Sequence, residues 1–233
     1  MRLDGVSIET RDVAAACERY VRLLGVEPRM TESGASRFQL DRGAVELVEG
    51  EPGRATVLFA REGPDDGWAA DPGDAHGLPL RVDDTAAGPD ATPRGGVQAV
   101  EAIDHVVVFT PSPARAIGLW RDTLGLRLAF DKEFPERRVR LMFFRSGGLT
   151  FEFACALPVA ADPAGSDRFY GVSYRVRDLA AHRTALLAWG FDVSEIRPGN
   201  KRGTRVASVR SGTADVPTLL LENEPATGVE ATP

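Results

Sequence analysis

Two cysteines, three histidines, three methionines and two lysines are spread through 233 residues. Cys17 and Cys155 stand far apart, each in an apolar pattern, so they read as buried thiols in a reducing compartment rather than a disulfide framework. No apolar run approaches the ~20 residues that a membrane-spanning helix needs. A strand pattern starts almost at the first residue, and no secretory leader is expected ahead of it. Basic residues number 28 and acidic ones 34, a net charge of −6. That balance gives no field to hold a phosphate backbone and excludes nucleic acid as a partner. Lysine occurs only at 132 and 201, in a chain otherwise served by arginine, which reflects genome composition. No Walker-type loop and no Ser/His/Asp arrangement is found. The glycine-containing stretches Arg145-Ser146-Gly147-Gly148 and Arg210-Ser211-Gly212 are not followed by helices and read as hairpin turns. What is left is an ordinary soluble composition, 43% hydrophobic and 27% charged, with the cytoplasm as the expected location.

What the chain does contain is repetition. Leu3-Asp4-Gly5-Val6-Ser7-Ile8, Ile103-Asp104-His105-Val106-Val107-Val108 and Tyr170-Gly171-Val172-Ser173-Tyr174-Arg175-Val176 are versions of one strand. Each is followed by a polar turn, a helical stretch and a glycine. Gly5 to Gly25 spans 20 residues, His105 to Gly125 spans 20, and Gly171 to Gly190 spans 19. Asp12, Pro113 and Asp178 open the three helices. Strands are expected near 36–41, 44–48, 126–131, 139–145, 149–155, 191–196, 204–210 and 218–223. A further copy belongs between 54 and 86, but its middle is rich in Gly, Pro and Asp and fits no helix. The repeating unit is thus β-α-β-β-β. The expected fold is α+β, with such modules pairing into curved, cup-shaped mixed sheets and helices outside. Residues 1–86 form a degenerate N-terminal pair (module 3–50 and eroded module 54–86), 87–102 a linker, 103–224 the C-terminal pair and 225–233 a tail. The N-terminal pair, lacking a histidine at Gly5, is expected to be structural, with dimerisation as the other role.

The segment Ile103-Asp104-His105-Val106-Val107-Val108, followed by Ala116-Ile117-Gly118-Leu119-Trp120-Arg121-Asp122-Thr123-Leu124-Gly125-Leu126, resembles the opening of the vicinal oxygen chelate superfamily. This superfamily includes glyoxalase I, methylmalonyl-CoA epimerase, extradiol dioxygenases and the bleomycin and fosfomycin resistance proteins. The resemblance covers 103–224 well, 3–50 fairly and 54–86 poorly. It implies paired βαβββ modules and, in metal-using members, ligands on the first and last strands of a module. Carried over, it places His105 and Glu152 as ligands in one module, and Glu222 in the next, where Gly171 stands at the position of a second histidine.

Alternation along the strands puts His105 with Ile103 and Val107, and Glu152 with Thr150 and Ala154, facing the cup. The expected metal set is His105, Glu152 and Glu222, open to substrate and suited to Fe²⁺, Mn²⁺, Zn²⁺, Ni²⁺ or Co²⁺. No organic cofactor is expected. Glu152 or Glu222 would serve as the proton-transferring base, and Arg175 and Lys201 would bind substrate. Trp120, Trp189 and Phe130 read as core; of Phe143 and Phe144, one faces the core and one the cup. His182 and His76 read as solvated. The implied activity is a glyoxalase-like isomerase, epimerase or lyase acting on a small oxygenated or anionic metabolite through an enolate. The alternatives are a metal-free drug- or metabolite-binding protein, a ring-cleaving dioxygenase, whose weight Gly171 reduces, and a non-catalytic partner or sensor domain. The expected partner is a small molecule, without nucleic acid or membrane; a homodimer, an assembly this fold often uses, is the alternative to a single chain.

Overall fold

A computed structural model describes residues 2–61, 75–83, 99–160 and 163–224. Each helix begins where the sequence supplies an acceptor for its unpaired N–H groups. In α1 (Val13–Leu24) the Asp12 carboxylate accepts from Ala15 N at 2.9 Å, and Gly25, in the left-handed conformation, closes the last turn. Ser112 caps α2 (Pro113–Ile117), which continues as a π-helical turn, Gly118–Thr123, that carries Trp120 into the core. Asp178 caps α3 (Leu179–Ala188).

The strands make two mixed sheets. The first holds β1 (Arg2–Thr10), β2 (Arg29–Met30), β3 (Ser36–Gln39), β4 (Ala44–Glu49), β5 (Ala55–Ala60) and β6 (Leu80–Asp83) in the order β2-β3-β4-β1-β5-β6. The second holds β7 (Val100–Phe109), β8 (Arg127–Phe134), β9 (Val139–Ser146), β10 (Leu149–Ala156), β11 (Arg168–Val176), β12 (Arg197–Pro198), β13 (Thr204–Val209) and β14 (Thr218–Asn223) in the order β12-β13-β14-β11-β7-β10-β9-β8. Two β-α-β-β-β modules therefore join through the antiparallel pair β7–β11, each with its first and last strands parallel. The far edges of this sheet meet. Arg137, between β8 and β9, donates to the Asn200 side chain, between β12 and β13, at 3.0 Å. That contact closes the eight strands into a cup.

The helix-facing side of this sheet is packed with aromatics. Trp120 meets Phe151 edge-on at 4.8 Å and lies 5.8 Å from Phe153, and Phe144 meets Phe153 at 5.5 Å. Burying each such ring stabilises the fold by about 1.5–3 kcal/mol. Phe59 of β5 stacks on Trp120 at 5.7 Å, so the two halves share one core. Polar ties reinforce the join: Leu3 N to Ser146 Oγ at 2.8 Å, Tyr20 Oη to Thr213 O at 3.1 Å, and His182 Nε2 to Leu23 O at 3.0 Å.

Several expectations change. His182 is buried against α1 rather than solvated, because its helix packs between the halves. Trp189 is 39% exposed at the end of α3. Phe130 is half-buried on the cup side rather than in the core. Residues 191–196 make only a single bridge, Val193 to Val209, before β12. The stretch assigned to a linker already contains the start of β7 at Val100. The tail 225–233, the middle of the second module and most of the linker lie outside the described residues. Among the described residues, no helix is long and apolar enough to cross a membrane.

Candidate functional site

The repeated strand hides a repeated bulge. On β7, His105 lies opposite Ser173 and Ile103 opposite Tyr174, which leaves Asp104 as the extra residue. On β1, Leu3 lies opposite Phe59 and Gly5 opposite Leu58, which leaves Asp4 extra in the same way. A bulge re-aims the side chains beside it. Strict alternation would set Asp104 and His105 on opposite faces and Ile103 toward the cup; instead Ile103 is fully buried in the core, and Asp104 and His105 meet.

Asp104 Oδ2 lies 3.0 Å from His105 Nδ1, and Asp104 Oδ1 accepts from Arg175 Nε at 3.2 Å and Nη2 at 2.5 Å. Burial alone would raise the Asp104 carboxyl. The hydrogen bonds and charges of His105 and Arg175 outweigh it and hold Asp104 well below the usual carboxylate range. An ionised Asp104 takes the Nδ1–H of the imidazole, which leaves Nε2 as an acceptor. Ser173 Oγ donates to it at 2.7 Å. Glu152 Oε2 is 3.8 Å from the same nitrogen. Glu152 sits on β10 between Val107 of β7 and Phe143 of β9. Burial pushes its carboxyl above the ordinary value; His105 opposes the rise and Asp104 adds to it.

The N-terminal half carries the same position in a different state. Glu46 lies opposite Ser7, two residues beyond Gly5, just as Glu152 lies opposite Val107, two residues beyond His105. Arg37, the cross-strand neighbour of Glu46, donates to it at 2.9 Å and to Asp4 at 2.6 Å, and Arg81 donates to Glu46 at 2.7 Å. Two guanidinium groups neutralise that carboxylate. In the C-terminal half, Phe143 stands where Arg37 stands. Among the described residues Glu152 accepts no hydrogen bond, and the one titratable group within ion-pair distance of it is His105.

Beyond Phe143 the cup wall is apolar. Phe130 stacks on Phe143 at 4.8 Å and lies 6.3 Å from Phe134, with Leu141 and Val139 along the same face. Phe144 takes the core side, fully buried, as does Met142. A groove of about 470 Å³ lined by Val193, Ser194, Glu195, Arg197, Ser208 and Arg210 contains none of these residues.

The structure brings His105 and Glu152 together but not Glu222. Leu221 lies opposite Arg175, so Glu222 points to the other face of β14. There it accepts from Leu179 N, the first residue of α3, at 3.0 Å and from Arg205 at 2.7 Å. It anchors the positive end of a helix, away from His105 and Glu152. Among the described residues, no group of three His, Cys, Asp or Glu is placed to hold an ion. Gly171 has its own reason to be glycine: a Cβ there would collide with the Pro217 carbonyl oxygen, which accepts from Val172 N at 3.0 Å. Arg175 reaches the cluster, but its hydrogen bonds go to Asp104 rather than outward. Lys201 is exposed in the turn beside Asn200. Sequence reading missed Asp104 and Ser173. The first was signalled by the Asp that precedes both Gly5 and His105; the second needed the β7–β11 register.

Residues 104–207 match the family model of the Glyoxalase/Bleomycin resistance protein/Dioxygenase superfamily. Among solved structures, the Mn(II)-bound glyoxalase from Novosphingobium aromaticivorans is similar over 96% of this chain and 82% of its own, with a TM-score of 0.73 and 15% identity. BphC, a halotolerant catechol dioxygenase, is similar over 95% and 86%, with a TM-score of 0.66 and 13% identity. Methylmalonyl-CoA epimerase from Mycobacterium tuberculosis matches 54% of this chain and 90% of its own at 20% identity and a TM-score of 0.46. At these identities the first two likenesses establish the fold. No curated protein matches the chain.

Proposed function

We propose, from the match of residues 104–207 to the Glyoxalase/Bleomycin resistance protein/Dioxygenase superfamily model, that the C-terminal cup binds a small oxygenated molecule and moves a proton on it, as an isomerase, epimerase or lyase does. The observation that carries this reading is Glu152. A carboxyl group raised by burial, with no hydrogen bond or guanidinium partner among the described residues, stands 3.8 Å from an imidazole nitrogen whose ring is fixed by an ionised aspartate. A half-buried acid beside an oriented base is suited to taking a proton from carbon and returning it. Glu152 would accept the proton, His105 Nε2 would share it, and Asp104 would stabilise the imidazolium that results. The aromatic wall at Phe143 and Phe130 would exclude water.

The donor pair also fits a divalent ion. His105 Nε2 and Glu152 would be its two protein ligands, on the one carboxylate of this position that no arginine neutralises. When bound, such an ion polarises a substrate oxygen and stabilises the enolate formed beside it. A metal-free binding protein is the second reading, supported by the apolar wall and by Glu222, which is bonded to Leu179 N and Arg205 on the other face of β14. Calorimetric titration with Mn²⁺, Zn²⁺, Ni²⁺ and Fe²⁺, on wild type and on His105→Ala, separates the two. Micromolar binding that the variant loses supports the metal. Small-molecule ligands that bind without any ion, and bind His105→Ala equally, support the second reading.

A further inference from the structure

Resting on the reading of the C-terminal cup as a ligand site, a second feature of the same cup points to the charge of the ligand. Of 28 basic residues only Lys132 and Lys201 are lysines; Lys132 is exposed on the edge strand β8, and Lys201 is exposed in the turn between β12 and β13 at the other end of the sheet. On β8, Phe130, Lys132 and Phe134 face Phe143, Leu141 and Val139 across the pair with β9. Asp131 and Glu133 turn the other way, where Arg140 holds them at 2.8 and 4.0 Å. Lys132 therefore stands on the cup face, its Nζ 5.3 Å from the centre of the Phe134 ring. Arg137 flanks the same ring at 5.6 Å and reaches Asn200, the neighbour of Lys201, from the opposite edge of the sheet. The turn that carries Arg137 ends on Arg138 in the left-handed conformation (φ 53°), an arrangement that non-glycine residues adopt at a cost.

Several arginines of the fold are held by carboxylates. Arg37, Arg81, Arg140, Arg175 and Arg205 each hold a carboxylate at 2.9 Å or closer. Among the described residues Lys132 and Lys201 have no acidic partner, and Arg137 has only Glu136, at 3.9 Å. Lys132 and Arg137 thus flank one ring on one lip, and Lys201 follows the asparagine that Arg137 holds on the other, in a chain whose net charge is −6. Arg175, engaged with Asp104, is not available for that role.

We propose that Lys132, Arg137 and Lys201 form an anion-binding lip that holds a phosphate or carboxylate of the ligand, while the body of the ligand lies along Phe134, Phe130 and Phe143 toward Glu152 and His105. Lys132 lies opposite Leu141, two residues along and two strands across from Glu152, so the two positions are separated by roughly 12 Å in the sheet. A ring carrying a short carbon chain spans that length.

Calorimetry and protein-observed NMR with phenyl phosphate, benzoate and inorganic phosphate test the lip and separate phosphate from carboxylate. Binding should shift Phe134 and Phe143 and weaken with added salt. Lys132→Gln and Lys201→Gln should each cost about tenfold in affinity, the loss of one charge-assisted hydrogen bond. Lys132→Arg should restore most of it, and Arg210→Gln, in the separate groove, should change nothing. Millimolar probes that fail to bind the folded wild type, or bind the Lys132→Gln/Lys201→Gln double variant unchanged, overturn the proposal. Probes that bind wild type and Glu152→Gln alike, with no proton exchange on any substrate, leave the lip standing and remove the proton-transfer reading instead.

Discussion

Replacing Gly171 by histidine would restore, in sequence, the second imidazole that the first-strand position of this module lacks. The structure predicts that the change damages the fold before it can create a site. A Cβ at 171 would overlap the Pro217 carbonyl oxygen and sit 3.1 Å from Pro217 Cβ. The oxygen is backbone and cannot rotate away. Relief requires β11 to move from the segment that leads into β14, at the expense of the 3.0 Å bond from Val172 N to Pro217 O. Overpacking of this kind costs about 1–3 kcal/mol and a lost hydrogen bond about 0.5–1.5. The sum, roughly 2–4 kcal/mol, lowers the melting temperature by roughly 4–16 °C in a protein of this size. Gly171→Ala should show most of the loss, since the clash is at Cβ. Gly118→Ala, in a helical conformation with no atom within 4 Å, should be neutral or stabilising. Differential scanning calorimetry of the three variants reads the effect. A Gly171→His protein that melts with the wild type would refute the reasoning and reopen this position as a ligand site.

Glu152→Gln should stabilise the protein at neutral pH while abolishing turnover. The folded Glu152 titrates above its unfolded value, so in that window the folded state binds the extra proton. Its contribution to stability is present at acid pH and lost as pH rises through the folded value. The advantage of the glutamine variant should therefore shrink as the solution is acidified, which denaturant melts at several pH values will show. Asp104 has the opposite sign: it contributes above the ordinary carboxylate range and loses that contribution only in strong acid. Asp104→Asn should move the His105 proton between ring nitrogens, an outcome read by ¹⁵N chemical shifts. Glu222→Gln should cost about 1–3 kcal/mol, as α3 and Arg205 lose their acceptor, yet leave ligand binding intact. Phe143→Arg should rebuild the Arg37–Glu46 pairing around Glu152, giving a folded protein that no longer binds ligand.

The architecture was legible because it is written several times. The helix starts read at Asp12, Pro113 and Asp178 and the spacing from each first strand to its glycine match the observed elements closely, with Ser112 added as the cap of the second helix. Of the candidate site, the pairing of His105 with Glu152 was legible: the two fall on one face of paired parallel strands. What failed did so for local reasons. Alternation counts residues evenly, and the bulge at Asp104 breaks the count, so the orienting carboxylate was overlooked. Glu222 follows three leucines and carries no sign of which face it takes; only its place opposite Arg205 and beside the start of α3 decides that. Arg175 looked free because its partner lies 71 residues away. Trp189 and Phe130 were assigned to the core on composition, whereas one sits at a helix end and the other on the cup wall.

The central claim is that Glu152 and His105 move a proton on a ligand held in the C-terminal cup. It is tested most directly by incubating the protein in D₂O with a panel of small α-hydroxy and α-keto acids and following loss of the carbon-bound proton by NMR. The account predicts exchange with at least one compound by the wild type and none by Glu152→Gln or His105→Ala, both folded. Equal exchange by all three proteins, or none by any, would contradict it.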